Sequence, residues 1–144
     1  VLVDLDDFKQ VNDRHGHDSG DEVLRRIGQL LLAAVRPEDL AVRHGGDEFA
    51  VLLSGVDLTT TAAEARARHL LRSIREQGWD DVSPGLVVTA SLGMALSAPG
   101  TGWDPAELYR AADAALYRAK RGDGGLVVAD LGADGSRAPH PAWA

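Results

Sequence analysis

The chain contains no cysteine in 144 residues, which excludes disulfides and thiolate metal centres. It has no apolar run near the roughly 20 residues that a membrane helix needs, so no membrane contact is expected of this domain. No signal-peptide pattern stands at its start, and a cytoplasmic domain is expected. It is also short of positive charge, with 15 Lys and Arg against 22 Asp and Glu and a formal net charge of −7. That balance disfavours sequence-independent nucleic-acid binding, which needs cations on the phosphates. It still admits a single nucleotide, because a bound Mg²⁺ inverts local electrostatics. No internal repeat is visible. With 44% apolar and 26% charged residues, the composition is that of one soluble globular domain with room for a core. The first residue is Val1, inside an apolar strand, and the chain reads as a piece of a longer protein.

What the chain does have is Arg43-His44-Gly45-Gly46-Asp47-Glu48-Phe49, set between Leu40-Ala41-Val42 and Phe49-Ala50-Val51-Leu52-Leu53. Two apolar runs joined by Gly-Gly read as a β-hairpin with a two-residue turn, for which glycine supplies positive φ. Asp47 and Glu48 then sit at its tip and, by strand alternation, point to different faces. Bare glycines also let phosphates approach the backbone. Taken alone, the stretch reads first as an ordinary solvated acidic turn.

Upstream, Val1-Leu2-Val3 reads as a buried strand running into Asp4-Leu5-Asp6-Asp7-Phe8-Lys9. Three acids in four residues are costly to bury unpaired; they are either exposed or face a cation. Asn12-Asp13 and His15-Gly16-His17 read as a turn-rich connection. A helix is predicted from about Asp18 to Val35, with Val23, Leu24, Ile27, Leu30, Leu31, Ala34 and Val35 on one face and Pro37 as its stop. A second helix is predicted from Ala62 to Gln77, capped by Thr61 and Glu64. Leu86 to Leu96 reads as one long strand, with Gly93 as a weak spot or bulge. A third helix starts at Asp104-Pro105, with Glu107 closing a capping box. Its face of Leu108, Ala111, Ala112, Ala115, Leu116 and Ala119 permits close packing, and Gly122 ends it. Leu126 to Ala129 is a last strand. The domain therefore spans 1–130, followed by a loose tail over 131–144. The order β-α-β-β-α-β-α-β predicts an α+β fold with a ferredoxin-like core, a mostly antiparallel sheet of about five strands with helices packed on it.

If the first strand and the hairpin are sheet neighbours, Asp4 and Asp47 converge. Converging carboxylates repel unless a cation lies between them. Oxygen donors without His or Cys suit Mg²⁺ or Mn²⁺, and such ions completed by substrate phosphates support phosphoryl or nucleotidyl transfer.

These stretches together resemble the GGDEF domain, the diguanylate cyclase module. The likeness runs through Asp4 to Lys9 with Asn12-Asp13, Gly16-His17 with Gly20-Asp21, Gly45 to Phe49, Ser91-Leu92-Gly93, and Ala112-Asp113-Ala115-Leu116-Tyr117 with Ala119-Lys120. The resemblance implies condensation of two GTP molecules into cyclic di-GMP with release of two pyrophosphates, in a homodimer. It implies that Asp4, Asp47 and the Leu5 carbonyl hold the metal, with Glu48 as a further ligand or as the base for the 3′-hydroxyl. Gly45 and Gly46 complete that catalytic turn. Asn12 and Asp21 would read guanine, Lys9 and Lys120 would meet phosphates, and Phe8, in the same binding stretch, would be core. Read without the family, Asn12-Asp13 is a turn, Asp21 a first-turn helix acid and Lys120 a helix C-terminal cation. No histidine is assigned a role.

Arg36-Pro37-Glu38-Asp39 matches the family's inhibitory RxxD pattern, where cyclic di-GMP binds as product and inhibitor. Six strand residues, roughly 20 Å, keep it from overlapping the catalytic turn. A second arginine would complete it. Arg68 enters the candidate site and Arg66 remains open beside it. Three departures stand against the family pattern. The segment before the first strand is absent. Gly122-Asp123-Gly124-Gly125 replaces Gly-Arg-Asn, leaving Arg121 as the substitute cation. No regulatory domain is read within these 144 residues, and an upstream sensory domain is expected in the full-length protein. The alternative reading is a catalytically silent module that binds GTP or cyclic di-GMP.

Overall fold

A computed structural model describes residues 1–55, 59–97, 104–122 and 125–131. Asp123, Gly124 and the predicted tail beyond Leu131 lie outside them. The elements in order are β1 (Leu2–Leu5), α1 (Phe8–His15), α2 (His17–Ala34), β2 (Leu40–Gly45), β3 (Glu48–Leu52), α3 (Thr60–Glu76), β4 (Ala90–Leu96), α4 (Pro105–Arg121) and β5 (Gly125–Asp130). The five strands form one sheet in the order β2-β3-β1-β4-β5. Every pairing is antiparallel except β4 with β5. The expected α+β architecture holds.

Strand alternation divides the sheet into two faces. On one, Val3, Leu5, Phe49, Val51, Leu92 and Met94 pack with Val23, Ile27 and Leu31 of α2 and Ala67, Leu70 and Ile74 of α3. On the other, Leu2 packs with Ala112 and Leu116 of α4. The small-residue face of α4 permits that close approach, and Gly93 completes it. A Cβ built on Gly93 would lie 2.1 Å from the Ala112 carbonyl oxygen and 2.2 Å from the Leu116 nitrogen. Gly93 is therefore neither a weak spot nor a bulge. It sits in regular register with Leu2 and Val127 and lets a helix backbone touch the sheet.

Four local expectations are corrected. Phe8–His15 is a helix rather than a connection. Asp7 enters it in the left-handed region (φ 51°), and Val11, its buried residue, docks it on the core. The cap of α3 is Thr59, whose hydroxyl accepts from the Ala62 N–H, in place of Thr61. The strand expected from Leu86 begins only at Ala90, although Leu86 and Val88 are buried. In the hairpin, Gly45 belongs to β2 and pairs with Glu48 across a register shift, so Gly46 and Asp47 make the turn. Only Gly46 of the two glycines has positive φ (23°). As expected, Asp104 caps α4 by accepting from the Ala106 N–H.

Candidate active site

Because β1 pairs with β3, the end of the first strand meets the base of the hairpin turn. Asp4 lies directly opposite Glu48, and the Leu5 N–H donates to the Asp47 carbonyl at 3.3 Å. Residues opposite one another in an antiparallel pair share a face, with Cβ atoms about 5 Å apart. The convergence was expected of Asp4 and Asp47; the register instead sets Glu48 opposite Asp4, and Asp47 lies in the adjoining turn. Arg43 stiffens that turn by donating from Nε and a terminal nitrogen to the Gly46 carbonyl at 2.9 and 2.7 Å.

Asp4 is nearly enclosed, its side chain 7% exposed. Lys120 reaches it from the last turn of α4, Nζ to Oδ2 at 2.6 Å. The other oxygen, Oδ1, is buried with no hydrogen-bond partner. Burial pushes the Asp4 carboxyl above its ordinary value of 3.8; Lys120 opposes this, and the charges of Asp47 and Glu48 add to it. Tyr109 of α4 is raised too, by burial first and then by Asp113 and Glu48, which places negative potential between the hairpin and α4. Its hydroxyl lies 3.1 Å from His44 Nε2.

The neighbouring acids have other duties. Asp6 accepts from the Thr89 and Ser91 hydroxyls at 2.8 and 2.7 Å and fastens the end of β1 to β4. Asp7 is exposed. Of the three clustered acids, Asp4 alone keeps an unanswered buried oxygen. An orphaned carboxylate oxygen facing a second carboxylate is a fit for a hard divalent cation. Among the described residues no three His, Cys, Asp or Glu groups are gathered so as to hold an ion by themselves, so water or ligand oxygens would have to complete the shell.

The expected guanine and phosphate residues lie on α1 and the start of α2. Asn12 packs against Gly20, where a Cβ would stand 1.9 Å from its Oδ1 and 3.3 Å from Phe8 Cζ. Gly20 thus makes room for the amide, and Asp21 follows it, exposed, on α2. Phe8 is half-buried against the core, as expected, and Lys9 is exposed. Lys120 is engaged with Asp4.

At the far end of β2, Asp39 is fully enclosed. Oδ2 accepts from the Arg36 N–H at 2.9 Å and from the Arg66 guanidinium; Oδ1 accepts from the Ser54 N–H at 2.9 Å. Burial opposes its ionisation, but Arg66 and the two backbone donors outweigh it and hold Asp39 below 3.8. Arg66 also donates to the Ala34 carbonyl at 3.1 Å. Arg68 faces away, 61% exposed and 3.7 Å from Glu64. Arg36 is exposed, 4.0 Å from Glu38. Residues missed in the sequence are Thr89, Tyr109, Arg43 and His44 in its contact with Tyr109; only the nearness of Arg43 and His44 to the two glycines was a signal.

Comparison with known proteins adds to this geometry. Residues 1–125 match the family model "Diguanylate cyclase, GGDEF domain". The chain is 37% identical over 134 residues to the probable diguanylate cyclase DgcT of Escherichia coli, covering 91% of this chain and 29% of that protein. It is 39% identical to the E. coli cyclic di-GMP phosphodiesterase PdeR, covering 87% and 18%. The chain thus spans less than a third of either relative. Among solved structures, the GGDEF domain of YfiN (TpbB) from Pseudomonas aeruginosa superposes with TM-score 0.76 at 39% identity, covering 91% of this chain and 81% of that one. The coiled coil and GGDEF domain of Caulobacter crescentus DgcB, in complex with cyclic di-GMP, superposes at 0.75 with 27% identity, covering 89% and 67%.

Proposed function

The chain belongs to the GGDEF-domain diguanylate cyclase family, and from that premise we propose that it condenses two GTP molecules into cyclic di-GMP, releasing two pyrophosphates. The observation that carries this reading is the orphaned Asp4 oxygen opposite Glu48. A buried half-satisfied carboxylate is costly, and the cost has a purpose if a cation is to be bound there. Asp4, the Leu5 carbonyl, Asp47 and Glu48 would hold Mg²⁺ or Mn²⁺, which supplies charge neutralisation on the triphosphate. Glu48 would otherwise accept the proton of the 3′-hydroxyl. Gly45 and Gly46 let phosphate oxygens approach the turn. Asp21 accepts from guanine N1 and N2, Asn12 serves its other edge atoms, and Lys9 and Lys120 meet phosphates as point charges.

Each protomer would carry one GTP, and each 3′-hydroxyl would attack the α-phosphate of the other's nucleotide. A two-fold product then requires a two-fold homodimer, with upstream sensory domains controlling the pairing. Cyclic di-GMP would also bind at Arg36, beside Asp39; Arg66 is the helix arginine at that end, where it holds Asp39, while Arg68 faces away beside Glu64. No helix among the described residues is long and apolar enough to cross a membrane, and we place the domain in the cytoplasm, away from nucleic acid.

Incubation with GTP and Mg²⁺ should yield cyclic di-GMP, rising more than linearly with protein concentration. Asp47→Ala should abolish it; persistent synthesis in that variant would refute the metal assignment. A silent receptor is the second reading, supported by Arg36 and by the likeness to a protein named a phosphodiesterase. Saturable cyclic di-GMP binding without synthesis, lost in Arg36→Ala, would establish it instead.

A further inference from the structure

Lys120 does not behave as a lysine placed only to meet solvent or a distant phosphate. It bends from the last turn of α4 to within 2.6 Å of a carboxylate that is 7% exposed, while its own side chain stays 44% exposed. The acid it meets has a second, buried oxygen with no partner and a glutamate directly across the strand pair. One ammonium thus serves a place where negative charge exceeds what it neutralises.

We propose that Lys120 is a tethered stand-in for the divalent cation: it holds Asp4 while the site is without metal, and metal binding expels it. This rests on the metal site proposed above. A divalent ion drawing on Asp4 cannot share that carboxylate with an ammonium at 2.6 Å without strong like-charge repulsion. Loading the ion and freeing the lysine become one event. Once freed, the ammonium is partly exposed beside the ion and is available to a phosphate. Metal and nucleotide therefore bind cooperatively, and the nucleotide-free domain resists filling with metal alone. The lysine also prevents Asp4, Asp47 and Glu48 from repelling one another in the empty state.

The test is Mn²⁺ binding to the 144-residue chain without nucleotide, read from the spin-resonance signal of the free ion. The proteins are the wild type, Lys120→Gln and Lys120→Arg. Glutamine keeps a donor for Asp4 and removes the charge, so the variant should fold; arginine keeps the charge. Lys120→Gln should bind Mn²⁺ about tenfold more tightly, as follows if the displaced ion pair is worth about 1.4 kcal/mol, and Lys120→Arg should resemble the wild type. Adding Asp4→Asn to Lys120→Gln should abolish the binding. Equal or weaker binding in Lys120→Gln, still lost with Asp4→Asn, would overturn the displacement and leave the metal site standing. Binding that survives Asp4→Asn would overturn both. If neither wild type nor Lys120→Gln binds Mn²⁺ alone, the displacement is wrong, and Mn²⁺-dependent GTP binding decides the proposed function separately.

Discussion

Two enclosed aspartates on this chain each receive a cation from a helix, and they are held in opposite ways. Asp39 takes the Arg66 guanidinium from α3 and two backbone N–H groups, and both of its oxygens are occupied. Its carboxyl stays below the ordinary value despite burial. Asp4 takes one ammonium from α4, leaves one oxygen unanswered, and sits above the ordinary value because burial and two nearby acids outweigh Lys120. The first aspartate ties β2 to the loop after β3 and to α3. The second leaves one buried oxygen open, and it is there that the proposed cation would bind. Burial and an ion pair are common to both, so neither marks function. Each pair keeps one buried atom without a partner, Asp4 Oδ1 in one and Arg66 Nη1 in the other, and only the first is an oxygen that a cation can take.

That contrast can be broken most forcefully at Asp4. Asp4→Asn should lower cyclic di-GMP formation by at least about a hundredfold, whereas Asp39→Asn should leave the catalytic turn intact; comparing their initial rates of synthesis checks this. Gly93→Ala comes next. Its Cβ would collide with α4 backbone, and relief by backbone movement should cost about 3 kcal/mol in urea unfolding. Because α4 carries Lys120, the same change should disturb Asp4 and spare Asp39. Asp39→Asn should be milder, about 2 kcal/mol, since an amide in place of the carboxylate leaves a donor facing donors. The smallest effect is in the acid limb. A depressed carboxyl stabilises the fold fully above its unfolded value of 3.8 and loses that contribution as pH falls through the lower folded value. Stability of the wild type should therefore fall more steeply below that pH than stability of Asp39→Asn. Parallel acid titrations of the two would contradict the assignment.

Much of this was legible in the residues. Strand-end acids followed by an apolar hairpin with acids at its tip point to a meeting of the two stretches, but the expected partner of Asp4 was Asp47, and the register sets Glu48 opposite it. The cap of α4 was readable because Asp104 and Pro105 admit one arrangement. Other features needed partners remote in sequence. Gly93 reads as a defect until a helix backbone is seen against it. The helix α1 hid because its eight residues carry only two apolar side chains, Phe8 and Val11, too few to mark a face in the sequence. Three consecutive threonines, Thr59 to Thr61, all offer a cap, and only the turn geometry selects Thr59. Arg66 and Arg68, two apart on α3, must lie on different sides, but which of them meets Asp39 depends on a contact remote in sequence. That Lys120 serves Asp4 was equally out of view, since 116 residues separate them.

The central claim, that Asp4 is kept incomplete for a cation, is tested most directly by thermal unfolding of wild type and Asp4→Asn, each in EDTA and then with Mn²⁺ and a non-hydrolysable GTP analogue. The account predicts that Asp4→Asn unfolds no earlier than wild type in EDTA, because an ionised carboxylate with an orphan oxygen costs stability, and that only the wild type is stabilised by the additions. A variant that unfolds earlier in EDTA, yet gains as much as the wild type from metal and nucleotide, would contradict it.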